Sequence, residues 1–158
     1  MIRINRETDY GIGILSLMAR SRETRFNAAT LAEQRGLPLP VVSKILKHLA
    51  RDGILVSYRG AKGGYGLARA PETVSVADII AALEGPIQLT ECAEDGTDVC
   101  QYGSHCNVSA NWSRINSVVR AALERVTLAE MSTPVASVGE GLDVHPLEFT
   151  GVRYVGDH

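Results

Sequence analysis

The sequence predicts a mainly α-helical fold with a small β-hairpin wing, followed by a long C-terminal helix. Apolar residues recur at helical spacing in four short segments before residue 85. A glycine-rich turn between two β-prone runs separates the third segment from the fourth. Helical periodicity returns at Ser109, and the 158 residues suffice for one compact domain with an appended helix and tail.

The first three predicted helices have recognisable boundaries. The first covers residues 7–20, and the second begins after Asn27, a favourable N-cap residue, and stops at Gly36. The third covers residues 40–50, and its predicted buried stripe consists of Val41, Ile45, Leu46 and Leu49.

A hairpin and a fourth helix follow. Residues 54–58 and 65–68 are β-prone and flank the turn-rich stretch "RGAKGG". Ser75 and Asp78 occupy capping-box positions at the start of the fourth helix, which Gly85 ends. This order of elements is that of a winged helix-turn-helix, which we assign to residues 1–85.

A long apolar stripe marks the segment after the cysteines. A helix over residues 109–131 would be about 34 Å long, more than a small winged domain can cover. We therefore interpret residues 108–132 as a helix that packs on a second copy of the chain, with an intramolecular helix as the alternative. The apolar stripe of this helix consists of Ile115, Val119, Ala122, Val126 and Ala129. The residues after the helix, 133–158, are a tail without a predicted function.

The charges divide unevenly along the chain. Residues 1–70 contain 12 Lys or Arg and 5 Asp or Glu, whereas residues 71–158 contain 4 and 13. A basic half indicates a polyanionic partner, and two oppositely charged faces of one domain are the alternative.

Within the basic half, the third helix is the predicted recognition helix, which a major groove of double-stranded DNA can accept. A protein-interaction module is the alternative, but it would not need this excess of positive charge. Polar residues that point away from the stripe are suited to base edges and phosphates, and the hairpin tip adds an arginine suited to a minor groove. The predicted DNA contacts are Ser43, Lys44, Lys47 and His48 on the helix, with Tyr58, Arg59 and Lys62 on the wing.

All three cysteines lie in residues 86–107, a loop without helical periodicity. Cys92, Cys100 and Cys106 have the spacing C-x7-C-x5-C. An odd number of cysteines argues against a disulfide framework, and the spacing differs from the usual zinc pairs. Thiolates are favoured ligands of iron–sulfur clusters, so the loop is a candidate cluster site. Zinc, redox-active cysteines and merely structural cysteines remain alternatives.

A fourth ligand is not evident from the loop itself. Asp9 from a partner copy, His105 and an exogenous ligand are the candidates, in that order. Asp9 has an equally good structural explanation, because an acid in the first turn of a helix complements the helix dipole.

Residues 1–132 closely resemble a family of iron–sulfur-cluster-sensing winged-helix regulators. This family includes the Isc assembly repressor and the nitric-oxide-sensing repressor. The segments that carry the likeness are "TDYGIGIL", "RGAKGGY" and the cysteine loop followed by "NWSRI". The phrase "LEGPIQLTEC" together with the C-x7-C spacing looks most like the regulators of the SUF iron–sulfur assembly system.

The resemblance implies a homodimer on a palindromic promoter site, with Cys92, Cys100 and Cys106 as cluster ligands. It also implies that Arg59 enters the minor groove, and that Ser43 and Lys44 read bases. Isc-type members carry a histidine where this chain has Ser109, whereas Asp9 matches the aspartate that the nitric-oxide-sensing branch uses across its dimer. Both a 2Fe–2S and a 4Fe–4S cluster therefore stay open.

Other functional classes find little support in the sequence. No histidine and acid surround a cysteine as in a thiol enzyme, so we expect no enzymatic activity. No apolar run reaches the roughly 18 residues that a membrane span needs. The apolar stretch near the N-terminus lacks a cleavage site, and we expect a cytoplasmic protein.

Overall fold

The computed structural model describes residues 3–60, 63–90 and 106–133. Within these ranges it contains six α-helices, a short 3-10 turn and one two-stranded antiparallel sheet. The predicted mainly helical architecture with a hairpin wing is confirmed. The helices and strands are α1 (Arg6–Ala19), α2 (Ala28–Arg35), α3 (Leu39–Arg51), β1 (Leu55–Tyr58), β2 (Gly64–Leu67), α4 (Val76–Glu84), α5 (Ser109–Arg125) and α6 (Leu128–Ser132).

Local capping explains several of these boundaries. The Asn27 side chain accepts a hydrogen bond from the Thr30 amide at 2.7 Å, as an N-cap residue does. Gly36 ends α2 in the left-handed conformation with φ +63°. Ser75 and Asp78 form the predicted capping box of α4 through hydrogen bonds of 3.0 and 3.1 Å.

The hairpin is tied to the segment between α1 and α2. β1 and β2 pair from Leu55 with Leu67 to Tyr58 with Gly64. Phe26 and Tyr65 exchange two backbone hydrogen bonds of 2.9 and 2.8 Å, which extends the sheet by one bridge. A Cβ at Gly64 would lie 2.7 Å from the Phe26 carbonyl oxygen, so this glycine is needed for packing within the chain.

The core joins α1, α2, α3, α4 and β1 with one residue of α6. Ile45, Leu46 and Leu49 are fully buried, as predicted for the third helix. Val41 is only half-buried, and the prediction was wrong there, because Val42 takes the fourth core position. Residues 42, 45, 46 and 49 follow the i, i+3, i+4, i+7 pattern of one helical face.

The prediction of one continuous helix over residues 109–131 was wrong. The helical conformation ends at Arg125, Val126 is extended, and α6 starts after Thr127. Thr127 and Glu130 form a capping box that starts this new helix, including a hydrogen bond of 2.6 Å from the Thr127 amide to the Glu130 carboxylate. The sequence T-x-x-E is the signal that could have located the break.

Distant backbone groups stabilise this break. The Val76 amide donates to the Val126 carbonyl, and the Leu128 amide donates to the Val74 carbonyl, both at 2.8 Å. Leu128 is fully buried in the core, so the chain must turn sharply after α5. α6 then packs on α1, where Arg20 Nε donates to the Ser132 carbonyl at 3.0 Å.

Among the described residues, no helix combines the length and the hydrophobicity that crossing a membrane requires.

Candidate nucleic-acid interface and cysteine site

The outward face of α3 carries the four residues predicted to contact DNA. Lys44 and Lys47 are exposed, whereas Ser43 and His48 are half-buried. The opposite face of α3 is fixed in the core, so these side chains are presented from a rigid helix. Two ammonium groups one turn apart can neutralise adjacent phosphates.

One of the two lysines has a partner that sequence reasoning missed. Lys44 Nζ lies 2.8 Å from Glu7 Oε1, in the first turn of α1. The two residues are 37 positions apart in the chain. No local sequence pattern reports a pair at this separation.

The wing exposes the predicted aromatic and basic residues. Tyr58 at the end of β1 is 39% exposed, and Arg59 beside it is exposed. Lys62 lies outside the described residues. Arg25 places its guanidinium carbon 3.9 Å from the centroid of the Tyr58 ring, a cation–π contact that adds a further positive charge to the wing. Sequence analysis did not identify Arg25, although it directly precedes the bridge residue Phe26.

Cys106 is the predicted cluster cysteine that the structure describes. Its thiol is free and its side chain is partly buried, three residues before the start of α5. The Ser109 hydroxyl donates to the Cys106 carbonyl at 3.4 Å. Cys92, Cys100 and His105 lie outside the described residues.

The described residues at the two ends of the cysteine loop contact α5. The Leu89 amide donates to Asn116 Oδ1 at 3.1 Å, and Asn116 is 8% exposed. Cys106 lies three residues before α5, and Asn116 follows the first residue of α5, Ser109, by seven residues, about 10 Å along the helical rise. The segment before the first cysteine is therefore hydrogen-bonded to α5 through Leu89, and the segment after Cys106 leads into the start of α5.

Asp9 lies in the first turns of α1. Its side chain is exposed and forms no ion pair with any residue that the structure describes. It lines a shallow groove of about 290 Å³ together with Arg20, Arg35 and Met131. An exposed carboxylate in this position is accessible to a second molecule.

The two faces of α5 differ in polarity. The face toward α4 lines a groove with Ser113, Asn116, Ser117, Arg120 and Glu124. The opposite face exposes Val108 just before the helix and then Trp112 and Ile115, at 45, 40 and 45% respectively. Their spacing of four and three residues continues the predicted stripe at Val119, which is half-buried. The described part of the chain does not cover this apolar face.

A helix-turn-helix whose second helix exposes lysines, followed by an aromatic and basic wing, defines a winged-helix DNA-binding regulator. Residues 4–134 match the model of the Rrf2 family, described as an iron-dependent transcriptional regulator. The chain belongs to this family, and it is a transcription regulator.

Similar proteins agree with this assignment. The HTH-type transcriptional regulator IscR of Erwinia tasmaniensis is 27% identical over 131 residues, which cover 82% of this chain and 78% of that protein. IscR of Vibrio cholerae is 26% identical over 147 residues, covering 91% and 84%. The predicted resemblance to the Isc-type regulators is confirmed.

Solved structures show the same fold. IscR of T. potens is similar with a TM-score of 0.64 and 26% identity, covering 89% of this chain and 94% of that one. CymR, described as the global cysteine regulator of B. subtilis, has a TM-score of 0.63 and 26% identity, covering 84% and 97%.

Proposed function

We propose that two copies of this chain form a cytoplasmic regulator whose affinity for promoter DNA is set by an iron–sulfur cluster. The cluster would be held by Cys92, Cys100 and Cys106. The observation that carries this proposal is the position of the cysteine loop, in which Leu89 is hydrogen-bonded to Asn116 of α5 and Cys106 lies three residues before the start of the same helix. The proposed target genes are those of iron–sulfur assembly, as the resemblance to SUF-type regulators implies.

Contact with duplex DNA is assigned to α3 and the wing. Ser43, Lys44, Lys47 and His48 would enter the major groove, and Tyr58, Arg59 and Lys62 would reach the adjacent backbone or minor groove. The exposure of both lysines on α3 and of Arg59 on the wing supports this assignment. We add Arg25 to the wing contacts because it stacks on Tyr58.

Dimerisation is assigned to the apolar face of α5. Contiguous exposed apolar side chains on one helical face are typical of an interface, and Trp is frequently an energetic centre of such contacts. The exposure of Trp112 and Ile115, together with the polar character of the face toward α4, supports a second copy as the occupant. A symmetric pair would present two copies of α3 to successive major grooves, about 34 Å apart.

The donor chemistry of the loop fits an iron–sulfur cluster. Three thiolates are soft ligands, and the partly buried free thiol of Cys106 is available for coordination. A bound cluster would supply a redox- and ligand-sensitive centre in the loop that precedes α5. Because α5 also carries the proposed dimer face, a change at the loop would alter the spacing of the two recognition helices.

The test is a titration of promoter DNA with protein purified without oxygen and with the same protein after removal of iron. We expect bound iron and acid-labile sulfide, visible charge-transfer bands, and different DNA affinities of the two forms across a range of salt. Each of the variants Cys92→Ser, Cys100→Ser and Cys106→Ser should lose the visible bands while retaining the fold. Equal affinities of the two forms would refute cluster control and leave DNA binding intact.

The fourth ligand is tested separately. We propose Asp9 of the partner copy, which the exposure of this carboxylate and its lack of an ion pair among described residues support. Asp9→Asn should then shift the spectrum or accelerate cluster loss, whereas His105→Ala should have little effect. The reverse result would assign the ligand to His105, and two unaffected spectra would indicate an exogenous ligand.

A regulator that senses zinc or thiol oxidation without a cluster is the alternative. The likeness to CymR, whose oxidized form is known from Staphylococcus aureus, and the accessible thiol of Cys106 favour this alternative over other functions. Colourless protein with stoichiometric zinc, or DNA affinity that responds to peroxide without iron, would establish it.

A further inference from the structure

The recognition helix is linked to α1 by a single described ion pair. Lys44 Nζ and Glu7 Oε1 are 2.8 Å apart, and their side chains are 55% and 37% exposed. An ion pair this open to solvent contributes little to stability, because water and salt screen the attraction. The ion pair is therefore more relevant to DNA binding, through its position on α3, than to the stability of the fold.

The carboxylate of Glu7 lies beside the surface assigned to DNA. Lys44 and Lys47 are both exposed on α3, but Lys47 has no ion-pair partner among the described residues. The two lysines therefore differ in whether an ion pair within the chain already offsets their charge. Lys47 offers its full positive charge to a phosphate, whereas the charge of Lys44 is partly offset by the Glu7 carboxylate.

Glu7 is held in place by the packing of α1. Asn5 caps the helix by accepting from the Thr8 amide at 2.8 Å, and its own amide donates to Glu84 at 3.1 Å. Thr8 is fully buried. The first turn of α1 is thus fixed against α4, and the flexible stem of Lys44 is the part of the pair that can move away.

We propose that Glu7 competes with DNA phosphate for the ammonium group of Lys44 and so lowers the affinity of the recognition face for DNA. Binding to DNA neutralises phosphates and releases their counterions, and each lysine that does so contributes separately. A lysine that must first leave a carboxylate contributes less, and the freed carboxylate then lies close to the phosphates. This inference rests on the assignment of α3 to DNA.

The direct test is Glu7→Gln, measured by DNA titration from low to moderate salt with a mixed-sequence duplex of about three helical turns. We expect affinity at low salt to rise about three- to tenfold, and the slope of log affinity against log salt to steepen by up to about 0.9, the value of one extra phosphate contact. Thermal unfolding of each variant checks that the fold is intact.

The matched control is Glu23→Gln, which makes the same charge change at an exposed residue without an ion pair among those described. If affinity for DNA rises equally in this control, the effect of Glu7→Gln comes from the change in net charge alone, and the proposal is overturned.

A double-mutant cycle isolates the pair. Lys44→Gln should cost little affinity in the wild-type background and several-fold more in the Glu7→Gln background, whereas the cost of Lys47→Gln should be the same in both. Unchanged or weakened binding by Glu7→Gln would overturn the proposal, because Glu7 would then orient Lys44 rather than compete for it. If the wild-type protein binds no duplex at any salt, the DNA-binding assignment itself fails, and this inference fails with it.

Discussion

The winged helix-turn-helix of residues 1–85, called the winged body, buries its large apolar side chains, whereas α5 exposes its own. In the winged body, α1 and α3 bury Ile14, Leu15, Ile45 and Leu46 completely. In α5, the buried residue is the polar Asn116, while Trp112 and Ile115 remain exposed. The winged body thus has a core of its own, whereas the described residues leave the apolar face of α5 uncovered, and we propose that a second copy packs there.

The two regions are expected to contribute to different equilibria, the folding of one chain and the association of two copies. Burial within one chain contributes to folding at any protein concentration, whereas burial between copies depends on concentration. Substitutions in the two regions should therefore differ in what they change.

The largest effect is expected in the winged core. Leu46→Ala removes a fully buried side chain and should lower the free energy of unfolding by about 2–5 kcal/mol. Leu39→Ala on the same helix is the matched control, because Leu39 is 46% exposed and should change stability by about 0.5 kcal/mol or less. Urea unfolding of both variants measures the difference, and equal costs would contradict the described packing of α3.

The second prediction concerns the apolar face of α5. Ile115→Asp should raise the dissociation constant of the dimer at least about tenfold, because it places a charge in an apolar contact. Ile4→Asp is the control, since Ile4 is 47% exposed outside α5, close to the 45% of Ile115. Sedimentation over a range of concentrations measures both variants, and a dimer indifferent to Ile115→Asp would place the interface elsewhere.

The third prediction concerns the one strongly buried residue of α5. Asn116→Ala leaves the Leu89 amide without its acceptor and should destabilise the attachment of the cysteine loop by about 1–3 kcal/mol. Hydrogen exchange at Leu89 should accelerate, and iron should be lost faster. Ser117→Ala, at the neighbouring exposed position, should leave both quantities unchanged. Unaltered exchange in Asn116→Ala would mean that the loop is held by other contacts.

The smallest effect is expected at the break between α5 and α6. Hydrogen bonds from the Thr127 amide and hydroxyl lower the pKa of Glu130 below its usual value. Because this pKa is lower in the folded state than in the unfolded state, the stabilisation is present above about pH 4.3 and is lost as pH falls through the folded-state pKa. Glu130→Gln should thus lower thermal stability slightly at neutral pH and leave it nearly unchanged in acid. A difference that grows in acid would contradict this role.

Most of the fold, and the outward face of the recognition helix, could be predicted because they depend on interactions between near neighbours. Asn27, Gly36 and the box of Ser75 and Asp78 cap helices through contacts over three or four residues. The two exposed lysines follow from helical periodicity alone. The alternation of β-prone runs with glycine is likewise local, and the wing follows from it.

Tertiary structure decided the features that join distant residues. The T-x-x-E signal marks the start of α6 locally, but the backbone pairing of this segment with residues 74 and 76, about fifty positions earlier, is a tertiary feature. Glu7 with Lys44, Arg25 with Tyr58, and Leu89 with Asn116 are likewise brought together by packing. A sequence pattern predicts the periodicity of one helix or strand, but it does not predict which residues of two different elements come into contact. That depends on how the whole core packs, and here it determines which lysine of the recognition helix already has a partner.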